Sequence, residues 1–209
     1  MKKTLIFALV GLSAVAMADG AAITSISGGT RFVNYHAGDT PTDPGMVGFK
    51  FNVNANTNMT HLGIWADNDT SGLDEEHQVG LWRVSDGALL ASAFISNADV
   101  LEGDFYFEAL GSSVALTAGV DYIVAAAYWF GGLDGYISEG TYGTDSNVNL
   151  VNAVFPDAEA LGFVMPGGNT VGNAGRVGPN FKTDAVPEPA TMAVLGLGAA
   201  ALLRRRKKS

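Results

Sequence analysis

The 209-residue chain contains no cysteine, so it has neither a disulfide nor a thiol nucleophile. It has three histidines, His36, His61 and His77, and no H-E-x-x-H motif of a zinc hydrolase. It also lacks the G-x-S-x-G motif that presents a nucleophilic serine. A domain in this chain must therefore be held by its hydrophobic core alone, and the sequence offers no motif for nucleophilic or zinc-dependent catalysis.

Long apolar runs are also missing, and the two apolar segments at the ends of the chain are short. At the N-terminus, Lys2 and Lys3 precede the apolar stretch from Leu5 to Ala18, which ends in Ala-Met-Ala. This order is typical of a secretory signal peptide. A buried N-terminal helix is the alternative, but the acidic Asp19 suits a cleavage site better. We predict that residues 1–18 are a signal peptide, cleaved after Ala18.

At the C-terminus, 14 mostly apolar residues run from Ala190 to Leu203, fewer than the roughly 20 of a full bilayer span. Five basic residues follow at 204–208. Because a basic flank stays on the cytoplasmic side, the rest of the chain must lie outside, in agreement with the signal peptide. We predict a short transmembrane helix that transiently anchors the domain on the periplasmic side of the inner membrane.

The tail joins three features in a fixed order: a Pro-Glu-Pro sequence, the apolar segment and the basic cluster. This arrangement resembles the PEP-CTERM sorting signal of exported bacterial proteins. The resemblance implies processing near Pro-Glu-Pro by an exosortase, a membrane enzyme of Gram-negative bacteria that make extracellular polysaccharide, and release to the cell surface or beyond. A plain C-terminal anchor is the alternative. The sorting residues are Pro187, Glu188, Pro189, Arg204, Arg205 and Arg206.

Between the two ends, residues 19–185 form the predicted domain, and residues 186–209 form the sorting signal. Of the 12 basic residues, seven lie in the ends, which leaves five; of the 21 acidic residues only Glu188 lies there, which leaves 20. The formal charge of the domain is therefore −15. Such a charge excludes nucleic acid and anionic lipid as partners of the domain, and it favours solubility or cation binding.

The hydrophobic pattern of this domain is that of β-strands. In the stretch from Met46 to Asn54, large apolar residues alternate with glycine and polar residues, as in a half-buried strand. Further short runs rich in aromatic and β-branched residues are separated by turn-forming clusters, and no segment between the ends has a helical period. We predict an all-β fold, a single antiparallel β-sandwich of jelly-roll or immunoglobulin-like type.

One acidic loop, "ADNDTSGLDEEHQ", has oxygen ligands at alternate positions and begins like an EF-hand calcium loop. Its twelfth position is Gln78 rather than glutamate, and strands flank it, so it is not an EF-hand. Calcium is the only cofactor that the sequence suggests. The alternative is a solvated hairpin loop in which Asp and Asn bond their own backbone. The candidate calcium ligands are Asp67, Asp69, Ser71 and Asp74.

The stretch from Phe49 to Phe130 contains L-G-x-W, H-x-V-G-L-W, G-x-L-L-A-S-A and L-x-A-G-x-x-Y motifs. These motifs resemble an uncharacterised domain family of secreted bacterial proteins. The resemblance supports a β-sandwich and a secreted setting, and it supplies no catalytic residue. His77 lies in one of these motifs beside Glu76, and we interpret it as a hydrogen-bonded structural histidine.

Aromatic residues cluster around the "FGGLDG" turn, where Trp129 and Tyr136 are the candidates for stacking on sugar rings. On the segment 121–130, Tyr128 and Trp129 point to opposite faces, and we expect only one of these faces to be core. We expect no catalytic residue. A structural or binding role at the cell surface, with extracellular polysaccharide as partner, ranks first. A calcium-dependent carbohydrate-binding module ranks second, and a secreted glycoside hydrolase, which needs only two carboxylates, ranks last.

Overall fold

A computed structural model describes residues 19–33, 44–67, 72–129, 132–157 and 162–184. These residues form β-strands and no helix, which confirms the all-β prediction. The strands, numbered in chain order, are β1 Gly20–Ala21, β2 Ile23–Ser27, β3 Thr30–Val33, β4 Gly45–Val53, β5 Thr57–Trp65, β6 His77–Arg83, β7 Ala88–Ile95, β8 Val100–Glu102, β9 Phe105–Leu116, β10 Tyr122–Tyr128, β11 Gly135–Ser138, β12 Thr141–Thr144, β13 Val148–Phe155, β14 Gly168–Thr170, β15 Arg176–Val177 and β16 Pro179–Thr183.

Two large sheets make up most of the fold. One has five strands in the order β1-β16-β5-β9-β8, and the other has six in the order β14-β13-β4-β10-β6-β7. A three-stranded sheet, β15-β11-β3, and the pair β12-β2 complete the described strands. Every pairing among them is antiparallel.

Strand β4 shows how the sequence pattern sets the fold. Its residues Val47, Phe49, Phe51 and Val53 are at most 1% exposed, whereas Lys50 and Asn52 on the opposite face are partly exposed. Successive side chains of a strand point to opposite faces, so the alternation buries one row of large apolar side chains. The predicted strand is confirmed, but it is half-buried only from Phe49 to Val53, because Met46 and Gly48 on the opposite face are also buried.

The main core lies between the two large sheets. The ring of Phe181 on β16 lies 4.5 Å from that of Phe51 and 6.5 Å from that of Phe49, centroid to centroid, so both sheets contribute to one aromatic cluster. This arrangement is consistent with the predicted β-sandwich, in which two sheets share one inner face. The choice between jelly-roll and immunoglobulin-like topology stays a prediction, as do the domain boundaries.

A second, smaller core covers the outer face of the six-stranded sheet. There Trp82 and Ile123 pack with Met46, and the segment 162–165 covers them with Phe163 and Met165. The ring of Phe163 lies 5.2 Å from that of Trp82. Both faces of β10 are therefore buried, and the expectation that only one face of this segment is core was wrong. The second face is buried because the segment 162–165, which is distant from β10 in sequence, covers it.

A glycine allows the close approach of strands on this sheet. A Cβ at Gly48 on β4 would lie 2.0 Å from the carbonyl oxygen of Val124 on the paired strand β10. No side chain fits in that space, since real contacts of this kind stay above about 3 Å. Glycine at position 48 thus permits the close approach of β4 and β10.

Candidate functional site

One face of the small sheet β15-β11-β3 gathers aromatic and polar side chains. Tyr136 on β11 lies directly opposite Phe32 on β3, and Ser138 lies directly opposite Arg176 on β15. Residues that are opposite each other, or two apart on one strand, share a face of a sheet. The four side chains therefore belong to a single face, which we call the small-sheet face.

The aromatic part of this face is a stacked pair. The rings of Phe32 and Tyr136 lie 5.8 Å apart with 19° between their planes. Phe32 is 46% exposed, whereas Tyr136 is 3% exposed and also contacts the buried ring of Tyr128 at 5.3 Å. A buried ring thus supports an exposed one, which leaves one aromatic surface available to a ligand and restricts its movement.

A hollow of about 230 Å³ lies beside the exposed ring. Its polar lining is ordered by hydrogen bonds: the side-chain amide of Asn173 donates to the hydroxyl of Ser138 at 2.9 Å. The guanidinium of Arg176 lies over the ring of Phe155, with its central carbon 4.5 Å from the ring centroid. The lining residues are Phe32, Tyr136, Ser138, Glu139, Thr170, Asn173 and Arg176.

A second hollow, of about 430 Å³, continues from the first and shares Glu139, Thr170 and Asn173 with it. Glu139 has a φ of 58°, in the left-handed region that residues with a side chain rarely adopt. Backbone strain of this kind is held by its surroundings and occurs often at binding sites. We call the two adjoining hollows together the small-sheet groove.

Behind the small sheet, the side chain of Asp67 holds two other segments in place. Its carboxylate accepts hydrogen bonds from both the Nε and Nη2 atoms of Arg31, the former at 2.6 Å, and from the backbone N–H of Gly135 at 2.8 Å. Arg31 also donates to the carbonyl oxygen of Leu133 at 2.7 Å. These bonds fix β3 against the start of β11, and thereby position Phe32 and Tyr136.

A buried charged cluster lies next to this contact. His77, which is 0% exposed, donates from Nδ1 to the carbonyl oxygen of Ala127 at 2.8 Å, and its Nε2 lies 2.9 Å from a carboxylate oxygen of Asp134. Asp134 also accepts the backbone N–H groups of Asp74 and Glu75, each at 3.0 Å. His77 is thus the hydrogen-bonded histidine that the sequence indicates.

The carboxyl groups of this cluster differ in pKa. Burial raises the pKa of Glu75, and the nearby carboxylates of Asp134 and Asp74 add to the effect against the opposing charge of His77. For Asp134, burial also acts to raise the pKa. The hydrogen bonds from His77 and from the N–H groups of Asp74 and Glu75 outweigh burial, and the pKa of Asp134 lies below its ordinary value.

Two family models match the chain. Residues 33–160 match the Domain of unknown function (DUF4082), and residues 185–207 match the PEP-CTERM protein-sorting motif. The first match covers more than half of the 209 residues. The chain belongs to the DUF4082 family. The resemblance to an uncharacterised domain family is thereby confirmed. A comparison with curated proteins gave no match.

The DUF4082 match includes the charged cluster and Tyr136, but Phe32, Asn173 and Arg176 lie outside it. The sorting-motif match covers the Pro-Glu-Pro sequence and the first basic residues of the tail, so the PEP-CTERM prediction is confirmed. The motif supports export, sorting to the cell surface and processing by an exosortase-type membrane enzyme.

Both ends of the DUF4082 protein, residues 1–18 and 185–209, lie outside the described residues. The signal peptide, its cleavage after Ala18 and the topology of the C-terminal anchor therefore stay predictions. In the part of the chain that the structure describes, there is no helix with the length and apolar character needed to cross a membrane.

The four candidate calcium ligands of the DUF4082 domain have different positions. Asp67 is 5% exposed and its oxygens are turned toward Arg31 and Gly135, whereas Asp74 is exposed. Asp69 and Ser71 lie outside the described residues. The calcium site stays a prediction. For Asp67 to bind calcium, it would have to exchange its bonds to Arg31 for bonds to the ion.

The two candidate stacking residues also differ. Trp129 is 40% exposed, whereas Tyr136 is 3% exposed and supports the ring of Phe32 from behind. The stacking role of both stays a prediction. Sequence reasoning identified Tyr136 and missed its neighbours Phe32, Asn173 and Arg176. No local signal marks these three. Phe32 and Arg176 approach Tyr136 through the pairing of strands distant in sequence, and Asn173 through its hydrogen bond to Ser138.

Proposed function

We propose that this DUF4082 protein is a surface or extracellular-matrix protein that binds extracellular polysaccharide in the small-sheet groove. The observation that carries the proposal is the exposed ring of Phe32, stacked on Tyr136 beside a hollow with a polar lining. The proposed role is binding and structural, and we propose no catalytic residue. Such binding fits the presence of the sorting motif, because a protein released among extracellular polymers needs a means of staying there.

An aromatic ring is a good contact for a sugar because the ring face of a sugar carries C–H groups, which pack on an apolar surface. Phe32 offers such a surface, and its support by Tyr136 reduces the freedom that it loses on binding. The surrounding hydroxyl, amide and carboxylate groups of Ser138, Asn173 and Glu139 suit sugar hydroxyls, which both donate and accept hydrogen bonds. This combination of an apolar contact with a few polar groups is typical of small-molecule sites.

The size of the groove suits a polymer of small rings. Sites for drug-sized molecules have volumes of about 300–1,000 Å³. The hollow at Phe32, of about 230 Å³, is smaller and fits one ring, and the adjoining hollow of about 430 Å³ provides room for the next. A groove open along the surface binds the interior of a chain as well as its end.

The negative charge of the domain favours neutral polysaccharides over anionic ones. The formal charge of residues 19–185 is −15, and each of the five basic side chains there contacts an acidic or aromatic side chain. A strongly anionic polymer would be repelled, so the proposed ligand is neutral. A calcium-dependent module is the second candidate, favoured by the exposed carboxylate of Asp74 beside the charged cluster.

Phe32→Ala is expected to weaken retention of the protein on neutral exopolysaccharide of the producing cells at least about tenfold, because it removes the exposed aromatic face. Affinity sedimentation of the purified exported protein measures this effect. Phe94→Ala, which removes a ring that is 58% exposed on β7, is the matched control and should leave retention unchanged. Loss of retention in Trp129→Ala but not in Phe32→Ala would place the contact elsewhere and contradict the proposal.

A further inference from the structure

The cluster of Glu75, His77 and Asp134 has the geometry of a cation site. One ligand atom from each of these side chains lies within 4.8 Å of the other two. His77 is 0% and Asp134 3% exposed, whereas Glu75 is partly exposed at the outer side. The cluster thus has two ligands held in the interior and a third on the side through which an ion would enter.

The hydrogen bonds of His77 show why a cation belongs there. The carbonyl oxygen of Ala127 can only accept, so Nδ1 carries a hydrogen. In the neutral imidazole, Nε2 then has a lone pair, and it lies 2.9 Å from the carboxylate of Asp134, which also only accepts. Two acceptors at this distance need a positive ion between them, and either a proton or a metal ion meets that need.

The hydrogen bond from Nδ1 of His77 to a backbone carbonyl also favours metal binding by Nε2. Histidines that bind metals almost always donate their other ring N–H to a carbonyl or carboxylate, which fixes the tautomer and the orientation of the ring. Ala127 has this role for His77. Asp134 is oriented in a similar way, since it accepts the N–H groups of Asp74 and Glu75.

We propose that Glu75, His77 and Asp134 form a binding site for a divalent transition-metal ion of the zinc type. One imidazole and two carboxylates are ligands that such ions accept, whereas calcium prefers oxygen ligands alone. The ion replaces the proton shared by Nε2 of His77 and Asp134, and that proton leaves to solvent. Its three ligands do not line the small-sheet groove and include none of the four candidate calcium ligands, although Asp74 is the chain neighbour of Glu75.

The geometry needs only a small adjustment. Two ligand atoms that bind one zinc ion tetrahedrally at about 2.1 Å lie about 3.4 Å apart. The 2.9 Å between His77 and Asp134 must therefore widen slightly, while Glu75 moves inward from its partly exposed position. The bound ion would link β6 to the segment between β10 and β11, and so would stabilise the loop that leads to Tyr136.

Titration of the purified exported protein with Zn²⁺, followed by calorimetry, tests the site. We expect one ion per chain and a rise of the thermal midpoint, with Ca²⁺ in excess failing to displace it. Glu75→Gln keeps the shape of the side chain and removes a ligand charge, and should weaken Zn²⁺ binding at least tenfold. Glu76→Gln, at the exposed neighbouring position, is the matched control and should bind as the unaltered protein does.

A second readout reports the ligands themselves. Co²⁺ in place of Zn²⁺ is expected to give the visible absorption of a four-coordinate ion with a nitrogen ligand, and Glu75→Gln should alter that spectrum. Absence of Zn²⁺ binding to folded protein would leave His77 and Asp134 as an ion pair bridged by a proton and overturn the proposal. Equal binding by Glu75→Gln and Glu76→Gln, or displacement of Zn²⁺ by Ca²⁺, would overturn it as well.

Discussion

Asp134→Ala is expected to lower the free energy of unfolding by about 3–5 kcal/mol, the range found when one partner of a buried charge pair is removed. The substitution leaves the buried His77 without its acceptor. It also leaves the N–H groups of Asp74 and Glu75 without theirs. Urea denaturation of the exported protein, monitored by tryptophan fluorescence, measures the change.

Two controls separate the charge from the shape of this side chain. Asp134→Asn keeps an oxygen that can accept hydrogen bonds but loses the charge, so a smaller loss than that of alanine is expected. Asp104→Ala removes an exposed carboxylate and should change the free energy of unfolding by less than about 0.5 kcal/mol. A similar small change for Asp134→Ala would mean that the cluster contributes nothing to the fold.

Phe51→Ala should have an effect of similar size, about 3–5 kcal/mol, through loss of core packing. Phe51 is 0% exposed, and its ring lies 4.5 Å from that of Phe181 and 5.7 Å from that of Tyr122. The residue joins the two large sheets, so truncation leaves a cavity between them. For a domain of this length, the expected fall of the thermal midpoint is about 6–20 °C.

Phe94→Ala serves as the comparison for this core variant. It makes the same chemical change on the edge strand β7, where the ring is 58% exposed, and we expect a change within about 0.5 kcal/mol. Equal midpoints for the two variants, measured by circular dichroism during heating, would show that Phe51 does not lie between packed sheets.

Much of the fold can be predicted from local patterns in the sequence. The alternation along β4 predicts the buried row of Val47, Phe49, Phe51 and Val53, because a strand with one face toward the core must place its large apolar residues two apart. The burial of Met46 on the opposite face belongs to the second core and is not predicted by this pattern. The sorting signal is equally local, since its three parts follow one another within residues 185–207. Such features can be read without knowing how distant parts of the chain meet.

The candidate sites depend on contacts between distant residues, and for this reason the sequence indicates them poorly. Phe32 and Tyr136 are 104 positions apart and meet because β3 pairs with β11. His77 and Asp134 are 57 positions apart. Nothing in the sequence near Asp67 reveals that Arg31 contacts it. The acidic loop therefore resembles a calcium site in the sequence, although the carboxylate of Asp67 already has a partner in the fold.

The same reason explains the misjudged face of β10. Its outer face carries the small side chains of Ala125 and Ala127 after Ile123, and the sequence there resembles a surface with room for a ligand. The segment 162–165 covers this face with Phe163 and Met165. Whether a strand is covered on its second face depends on a loop far along the chain, which strand periodicity does not encode.

The most direct test of the account is the amount of this protein retained in the isolated extracellular matrix of the producing cells. Phe32→Ala should be exported and processed like the unaltered protein, yet be found mainly in the medium, while Phe94→Ala stays in the matrix. Retention of Phe32→Ala in the matrix in the same proportion as the unaltered protein would contradict the claim that the small-sheet groove holds the protein among extracellular polysaccharide.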